Sequence, residues 1–375
     1  MITTGQIIKA KALADTALLD KVVETDVVDA AIAFAKEVVA QNLPLKRVRD
    51  IEISPEGARE ILDAAREKLE NGKKGQIAPL KCLDAVQASV FMSFDEGLKY
   101  ERELFLQLMS SPESAAMRHI FSAERAATKI PDVPADTLLR KVEKVGVIGA
   151  GTMGGGISMN FLNVGIPVVL LEQKQEALDR GVATIRRNYE NTMKKGRITA
   201  EQVEERMALL STTLSYDDFA DVDLAIEAVF ENMDVKKAVF SELDRVMKKG
   251  AILASNTSTL DLNVIAGFTS RPEDVIGLHF FSPANVMKLL EIVRGEKTAK
   301  DVLATSIALG KKIGKKPVVS GVCDGFIGNR MLYAYRDAAD NAMLAGASPS
   351  QIDKALESFG FAMGPYRVAD LAGLD

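Results

Sequence analysis

The chain has 375 residues, of which 47% are hydrophobic and 26% are charged, and its formal net charge is −5. This composition is typical of a globular protein that can bury a core, and the length suggests roughly two or three domains. No basic tract indicates a nucleic-acid or membrane-surface partner, and no apolar run is long enough to span a membrane. The two cysteines, Cys82 and Cys323, are too few for a disulfide framework or a metal cluster, so we expect no metal and a reducing compartment such as the cytoplasm.

Helical patterns dominate the first third of the chain. Ser54 followed by Pro55 predicts a helix start, with serine as N-cap and proline at the first helical position. The spacing of Ser93 and Glu96 matches a capping box and predicts a further helix. That helix is expected to turn four apolar side chains inward, namely Leu98, Leu104, Phe105 and Leu108.

Two prolines, Pro131 and Pro134, mark the clearest linker, because proline interrupts helices and stiffens the chain. We therefore expect a helical region over 1–128 and a linker over 129–141. A sheet-containing domain is expected over 142–322, and a helical segment over 323–375.

Short apolar runs alternate with helical patterns in the sheet-containing domain. This alternation predicts an α/β fold with a mostly parallel, Rossmann-like sheet covered by helices on both faces. The expected strands are 145–148, 168–171, 224–227, 252–254, 275–280, 289–293 and 317–320.

A glycine-rich turn follows the first of these strands. Gly149, Gly151 and Gly154 have the G-x-G-x-x-G spacing, with Met153 inside the motif, and Glu172 closes the next strand. Such glycines permit a tight turn, the approach of a pyrophosphate and close helix packing, while the acid binds the adenine ribose. A carboxylate there would repel a 2′-phosphate, so the pattern predicts binding of NAD in preference to NADP. A purely structural strand-turn-helix unit is the alternative.

The chain contains two histidines, and they differ in context. His119 lies in a helical pattern, where a packing or surface role is expected. His279 ends an apolar strand at the edge where open α/β sheets bind ligands, and Glu291 follows inside another apolar strand. A buried carboxylate needs a partner, so the two residues could form a general base and the group that orients it. A structural hydrogen bond is the alternative.

Several motifs together resemble the L-3-hydroxyacyl-CoA dehydrogenase family. They are GAGTMGGGI, AIEAVFEN, ASNTSTL, GLHFFSP with KLLEIV, and CDGFIGNR, and they occur in the family's order over 142–375. The resemblance implies NAD-dependent oxidation of a 3-hydroxyacyl-CoA to a 3-ketoacyl-CoA. His279 would take the hydroxyl proton, and Glu291 would hold the His279 side chain in place. Ser258 and Asn329 would bind the reacting oxygen.

The same resemblance implies further binding positions. Glu231 and Lys236 would line the nicotinamide half of the cofactor site, where a solvated helix start is the alternative. Ser282 is another cofactor position; many relatives have asparagine there, and serine points to the peroxisomal-type branch. Lys195 would contact coenzyme A, although a charge run of this kind is more often a solvated helix face.

The upstream segments ITTGQIIKAKALAD, FDEGLKYERELF and RHIFSAER resemble the end of an enoyl-CoA hydratase/isomerase (crotonase-like) domain and its linker. The whole resembles a piece of a multifunctional β-oxidation enzyme that lacks segments on both sides. Hydratase activity is therefore not expected from this chain. The resemblance leaves a cytoplasmic or, in a eukaryote, a peroxisomal location, and a homodimer or β-oxidation complex through the missing regions.

Two other functions compete with this reading. The chain could bind NAD and coenzyme A esters as a remnant with little turnover. A dehydrogenase of free β-hydroxy acids is a weaker alternative, because such enzymes use a lysine as acid and base.

Overall fold

The computed structural model describes residues 1–24, 26–44, 46–72 and 76–372. The chain forms two compact units. The first comprises Met1–Ile120 with Ser350–Arg367. The second comprises Phe121–Pro349 with the described residues of Val368–Asp375.

The first unit is helical. Short 3-10 helices cover Ala10–Leu13 and Val48–Asp50. The α-helices in its first segment are α1 (Val27–Ala40), α2 (Ala58–Glu70), α3 (Ala78–Phe91), α4 (Phe94–Met109) and α5 (Pro112–Ala126), the last of which continues into the second unit. Its second segment contains most of α13 (Pro349–Phe359) and the start of α14 (Pro365–Ala372).

The two predicted helix starts have different outcomes. The Ser93 hydroxyl accepts from the Glu96 N–H, and the Glu96 carboxylate accepts from the Ser93 N–H, so the predicted capping box is confirmed. The start at Ser54 and Pro55 is wrong, because α2 begins at Ala58 after Gly57, which has a left-handed φ of 67°. The Ser54 hydroxyl instead accepts from the N–H two residues on, a local turn that competes with helix formation.

The expected inward stripe of α4 is only partly correct. Leu104 is 4% exposed, whereas Leu98 and Phe105 are 48% and 49% exposed. Apolar spacing identified the helix, but it could not identify which of its apolar side chains have a neighbour to pack against.

An eight-stranded sheet forms the centre of the second unit. Its strands are β1 (Val145–Ile148), β2 (Val168–Leu171), β3 (Leu210–Thr213), β4 (Leu224–Glu227), β5 (Ile252–Ser255), β6 (Val275–Phe280), β7 (Leu289–Arg294) and β8 (Lys316–Gly321). The order is β3-β2-β1-β4-β5-β6-β7-β8, and every pairing is parallel except the antiparallel pair β6–β7. The predicted mostly parallel, Rossmann-like sheet is confirmed.

Helices cover both faces of this sheet. They are α6 (Thr152–Leu162), α7 (Gln175–Lys194), α8 (Ala200–Ala208), α9 (Met233–Val246), α10 (Leu262–Ala266) and α11 (Lys300–Lys312), with short 3-10 helices at Tyr216–Phe219 and Pro272–Asp274. A further helix, α12 (Gly328–Leu344), follows β8. One apolar core packs α6, α7, α8 and α11 against the sheet, and a second packs α9 and α10. Burial on both faces explains why the strand sequences are almost continuously apolar.

The strand β3 was missed by the sequence analysis. Its sequence, LSTT, has no apolar run, and its inner residues are exposed because it lies at the edge of the sheet. Edge strands bury little side-chain area, so apolar pattern detects them poorly.

Among the described residues, no helix combines the length and the apolar character that crossing a bilayer requires.

Candidate functional site

The turn between β1 and α6 contains three glycines, and its own geometry requires two of them. Gly149 has a φ of +102°, and a Cβ there would lie 2.5 Å from the Ala228 carbonyl oxygen. A Cβ on Gly154 would lie 1.8 Å from the Gly149 carbonyl oxygen, so α6 can approach the turn only without a side chain. A Cβ on Gly151 would meet nothing within 4 Å. The bare backbone of Gly151 therefore faces open space at the helix N-terminus, as a pyrophosphate site requires.

A cleft of about 630 Å³ opens beside this turn. It is lined by the glycine turn, Met153 and Glu172, and by residues after β4 such as Phe230. Glu172 follows β2, and its carboxylate accepts from the Ala150 N–H at 3.0 Å and from the Gln173 N–H at 2.7 Å. These two bonds fix the carboxylate at the mouth of the cleft. The position suits an acceptor for ribose hydroxyl groups.

His279 and Glu291 form a buried pair at the carboxyl end of β6. The antiparallel register places them directly opposite each other, and His279 Nδ1 lies 2.7 Å from Glu291 Oε2. The histidine is 5% exposed and the glutamate is fully buried. The His279 ring packs against Phe281 and Phe326, with ring centroids 4.5 and 5.8 Å away. The imidazole is therefore fixed in orientation by one polar contact and two aromatic neighbours.

The second oxygen of Glu291 binds the backbone at the start of α12. Oε1 accepts from the Ile327 N–H at 3.1 Å and from the Gly328 N–H at 2.7 Å. Burial acts to raise the pKa of Glu291, but the hydrogen bonds from His279 and from these N–H groups outweigh it and hold the pKa below its usual value. The carboxylate is thus ionised and can only accept, so His279 donates from Nδ1. In the neutral imidazole with this tautomer, Nε2 carries no proton and can act as a base.

A network of acidic, basic and hydroxyl side chains lies at the carboxyl end of β4. Glu227 is fully buried, and its carboxylate accepts from Lys236 Nζ at 2.7 Å, from the Ser255 hydroxyl at 2.7 Å and from the Val229 N–H at 2.8 Å. Lys236 is 1% exposed and also lies 3.1 Å from Glu231. A solvated helix start is therefore the wrong interpretation of Lys236.

Glu231 arranges the loop that follows β5. Its Oε1 accepts from the Thr257 hydroxyl at 2.6 Å, the Ser258 N–H at 2.7 Å and the Thr259 N–H at 3.3 Å, while the Ser258 hydroxyl lies 3.2 Å away. Burial acts to raise the pKa of Glu231, but the Thr257 hydrogen bond and the Lys236 charge outweigh it and keep the pKa below its usual value. Ser258 is consequently held by an ionised carboxylate.

The remaining candidate residues are placed less closely. Asn329 follows Gly328 in the first turn of α12, so it is next to the residue that binds Glu291. Ser282 is exposed, three residues after His279. Lys195 is exposed at the carboxyl end of α7, and His119 is exposed on α5.

Sequence reasoning missed some groups that support the site. Glu227 and Ser255 end neighbouring strands, and an acid that ends an otherwise apolar strand was the available signal. Lys315 gave no such signal, yet it is 6% exposed and its Nζ donates to the carbonyl oxygens of Ala284 and Met287. These contacts hold the loop that follows the histidine strand.

A second cleft, of about 610 Å³, lies on the other side of α6. It is lined by α6, by the α7 residues Arg180, Thr184 and Asn188, and by Pro283 and Val286 of the loop after β6. Gly151 and Glu172 line both clefts, so the two spaces meet at the glycine turn.

A mostly parallel sheet, a glycine turn that opens onto a helix N-terminus and an acid after the second strand define an NAD-binding oxidoreductase of the Rossmann-like class. The family models agree. Residues 144–323 match the NAD-binding domain of 3-hydroxyacyl-CoA dehydrogenase, and residues 325–375 match its C-terminal domain. The chain belongs to the 3-hydroxyacyl-CoA dehydrogenase family, so the expected family and its cofactor, NAD, are confirmed.

Individual relatives extend this finding. The whole chain aligns with a peroxisomal bifunctional enzyme of Danio rerio at 41% identity, and the alignment covers 52% of that enzyme. The whole chain also aligns with a glyoxysomal fatty acid β-oxidation multifunctional protein of Brassica napus at 38% identity, and the alignment covers 52% of that protein. The solved (S)-3-hydroxybutyryl-CoA dehydrogenase of Ralstonia eutropha is 35% identical, with a TM-score of 0.60 over 63% of this chain and 84% of that one. The chain spans about half the length of the curated relatives it matches.

Proposed function

We propose that this chain oxidises L-3-hydroxyacyl-CoA to 3-ketoacyl-CoA with NAD, as part of fatty-acid β-oxidation. The observation that carries the proposal is the buried His279–Glu291 pair at the carboxyl edge of an NAD-binding sheet. One relative at 41% identity is named a peroxisomal bifunctional enzyme, and another at 38% identity is named a glyoxysomal fatty acid β-oxidation multifunctional protein.

His279 acts as the general base in this proposal. With Nδ1–H donated to Glu291, Nε2 accepts the proton of the substrate 3-hydroxyl group. NAD, when bound, supplies the acceptor for the hydride that leaves C3 as the carbonyl forms. Glu291 remains ionised and stabilises the imidazolium, because its pKa is already held low by the hydrogen bonds from His279 and from the start of α12.

Ser258 and Asn329 bind the reacting oxygen in this reaction. A hydroxyl and an amide there can each donate a hydrogen bond, which stabilises the developing carbonyl oxygen. The Ser258 N–H donates to Glu231 and fixes the backbone at this residue, while the hydroxyl, whose one proton is shared with the same carboxylate, turns from Glu231 to the substrate in order to donate.

The cofactor is held by the glycine turn and by residues on both sides of it. Gly149, Gly151, Met153 and Gly154 receive the pyrophosphate end, and Glu172 accepts from the adenine ribose. A set of further residues surrounds the nicotinamide half, namely Glu231, Lys236, Ser258 and Ser282. Because the Glu172 carboxylate would repel a 2′-phosphate, fluorescence titration should give tighter binding of NAD than of NADP.

The coenzyme A part of the substrate fits the cleft between α6 and α7. Lys195 lies seven residues beyond Asn188 of that cleft, a helical distance of about 10 Å. Lys195 is exposed, so its ammonium group can meet a phosphate. The loop after β6 forms the opposite wall of the cleft. A thioester group bound there would therefore lie on the side of β6, the strand that contains His279.

Formation of NADH from 3-hydroxybutyryl-CoA and NAD tests the activity. His279→Ala should slow the reaction roughly a hundred- to ten-thousand-fold, the loss expected for a general base, and leave NAD affinity nearly unchanged. A folded His279→Ala protein that turns over at the unmutated rate would exclude His279 as the base. NAD binding without any turnover would favour a binding remnant instead.

The domain organisation is part of this proposal. We expect residues 1–128 to be the end of a crotonase-like domain with a helical linker, and 129–141 to be a second linker. The NAD-binding domain would cover 142–322 and a partial dehydrogenase C-terminal domain 323–375. Crotonyl-CoA should not be hydrated by this chain.

The working environment is proposed from the relatives. Their names place them in peroxisomes and glyoxysomes, so a peroxisomal location is favoured, with the cytoplasm as the bacterial equivalent. A homodimer or a β-oxidation complex is the expected assembly, and neither nucleic acid nor a membrane is an expected partner.

A further inference from the structure

A separate cleft of about 380 Å³ lies in the second unit, between the carboxyl end of α5 and the segment that joins α11 to β8. None of its lining residues lines the two clefts beside the glycine turn. Its charged side chains are Arg125, Lys129, Lys311, Lys315, Lys316 and a single acid, Glu124.

The charges of this basic cleft are poorly balanced. Glu124 is already paired with Lys316, whose Nζ lies 2.5 Å from its Oε2. No carboxylate in the described part of the chain pairs with Lys129 or Lys311, and both side chains are exposed. Four exposed cations and one acid line the cleft, although the chain as a whole carries a net charge of −5. Like charges gathered in one concave surface repel one another and raise the local concentration of anions.

Lys315 also lines this cleft, but its ammonium group is engaged by the loop after β6 and is not a donor to the cleft. Its ammonium group is fixed by the carbonyl oxygens of Ala284 and Met287. Burial, with a contribution from the charge of Lys288, lowers the pKa of Lys315 to about 8.

We propose that this basic cleft binds a phosphate-bearing anion, with Lys129 and Lys311 as the principal donors. Lysine ammonium groups bind phosphate as point charges, and the Arg125 guanidinium can add a planar, two-pronged contact. The volume admits a phosphate or a pyrophosphate together with a small attached group. The ligand is either a free inorganic phosphate or the phosphates of a larger molecule such as coenzyme A.

Lysine acetylation followed by peptide mass spectrometry gives a readout for each residue. The protein is treated with acetic anhydride alone, with pyrophosphate, or with coenzyme A, at matched ionic strength. Lys129 and Lys311 should be protected, while the exposed Lys312 and Lys249 outside the cleft should react as before. Protection by both ligands identifies the phosphate group as sufficient, and protection by coenzyme A alone identifies a larger ligand. Absence of protection, or equal protection of Lys312, overturns the proposal.

Paired substitutions provide an independent test by calorimetry, with saturating NADH present to fill the dinucleotide site. Lys129→Gln with Lys311→Gln should weaken pyrophosphate binding by about ten-fold for each lysine removed. The control, Lys249→Gln with Lys312→Gln, removes the same charge outside the cleft. Equal weakening in both double variants would show a diffuse ionic effect and would contradict a site. Neither pair includes a residue of the proposed dehydrogenase site, so loss of NADH formation and loss of this binding are distinguishable.

Discussion

The substitution Glu291→Gln tests how the histidine is oriented. Glu291 accepts from Ile327 and Gly328 with one oxygen and contacts His279 Nδ1 with the other. In the glutamine variant the single amide oxygen must serve one of these two sides. If it faces the two backbone N–H groups, the amide NH₂ faces Nδ1 and forces Nδ1 to accept. The proton then lies on Nε2, and the imidazole cannot act as a base.

The opposite amide orientation preserves the active tautomer but leaves two N–H groups without an acceptor. Each is partly buried, so each loss costs about 1–2 kcal/mol. A total of about 2–4 kcal/mol makes the active arrangement about 30- to 700-fold rarer, since about 1.4 kcal/mol is a factor of ten. The rate of NADH formation should fall by a similar factor, with NAD affinity nearly unchanged.

Imidazole ¹⁵N chemical shifts measure the tautomer directly and do not depend on turnover. The chain has two histidines, so exposed His119 serves as a reference within the same spectrum. Glu291→Gln should move the proton of His279 from Nδ1 to Nε2, whereas Glu296→Gln, an exposed glutamate just past β7, should not. An unchanged tautomer together with an unchanged rate would refute this account of the pair.

Three further predictions concern the glycine turn and the ionic network. Gly154→Ala should prevent folding because its Cβ would lie 1.8 Å from a backbone oxygen, whereas Gly151→Ala should keep its thermal midpoint and weaken NAD binding in a fluorescence titration. Lys236→Met should lower the free energy of urea unfolding by about 3–5 kcal/mol, since it leaves a buried carboxylate unpaired, while Lys237→Met at an exposed position should change it little. The pKa of Glu231 in the folded protein lies below its ordinary value of 4.5. The ionised carboxylate therefore stabilises the folded state above pH 4.5, and this contribution is lost as the pH falls through the pKa of the folded protein. Acid unfolding followed by circular dichroism should therefore be less steep in Glu231→Gln, and an identical acid transition would contradict the low pKa.

Local sequence pattern and family resemblance predicted much of the fold and of the candidate site of this protein. The G-x-G-x-x-G spacing and the acid at Glu172 predicted a dinucleotide site because each glycine answers a local backbone requirement. Apolar runs of strand length predicted most of the sheet because its strands are buried on both faces. His279 and Glu291 were paired in the sequence analysis from their strand context, although 12 residues separate them.

Only the tertiary structure decided how distant groups meet. The antiparallel register of β6 and β7 sets His279 opposite Glu291, and the start of α12 supplies the N–H groups that keep the carboxylate ionised. Lys236 has the sequence context of a solvated helix start, yet it is buried because Glu227 ends the neighbouring strand β4. Local sequence sets backbone preference and apolar periodicity, whereas the burial and charge state of a side chain depend on neighbours that the fold brings from elsewhere in the chain.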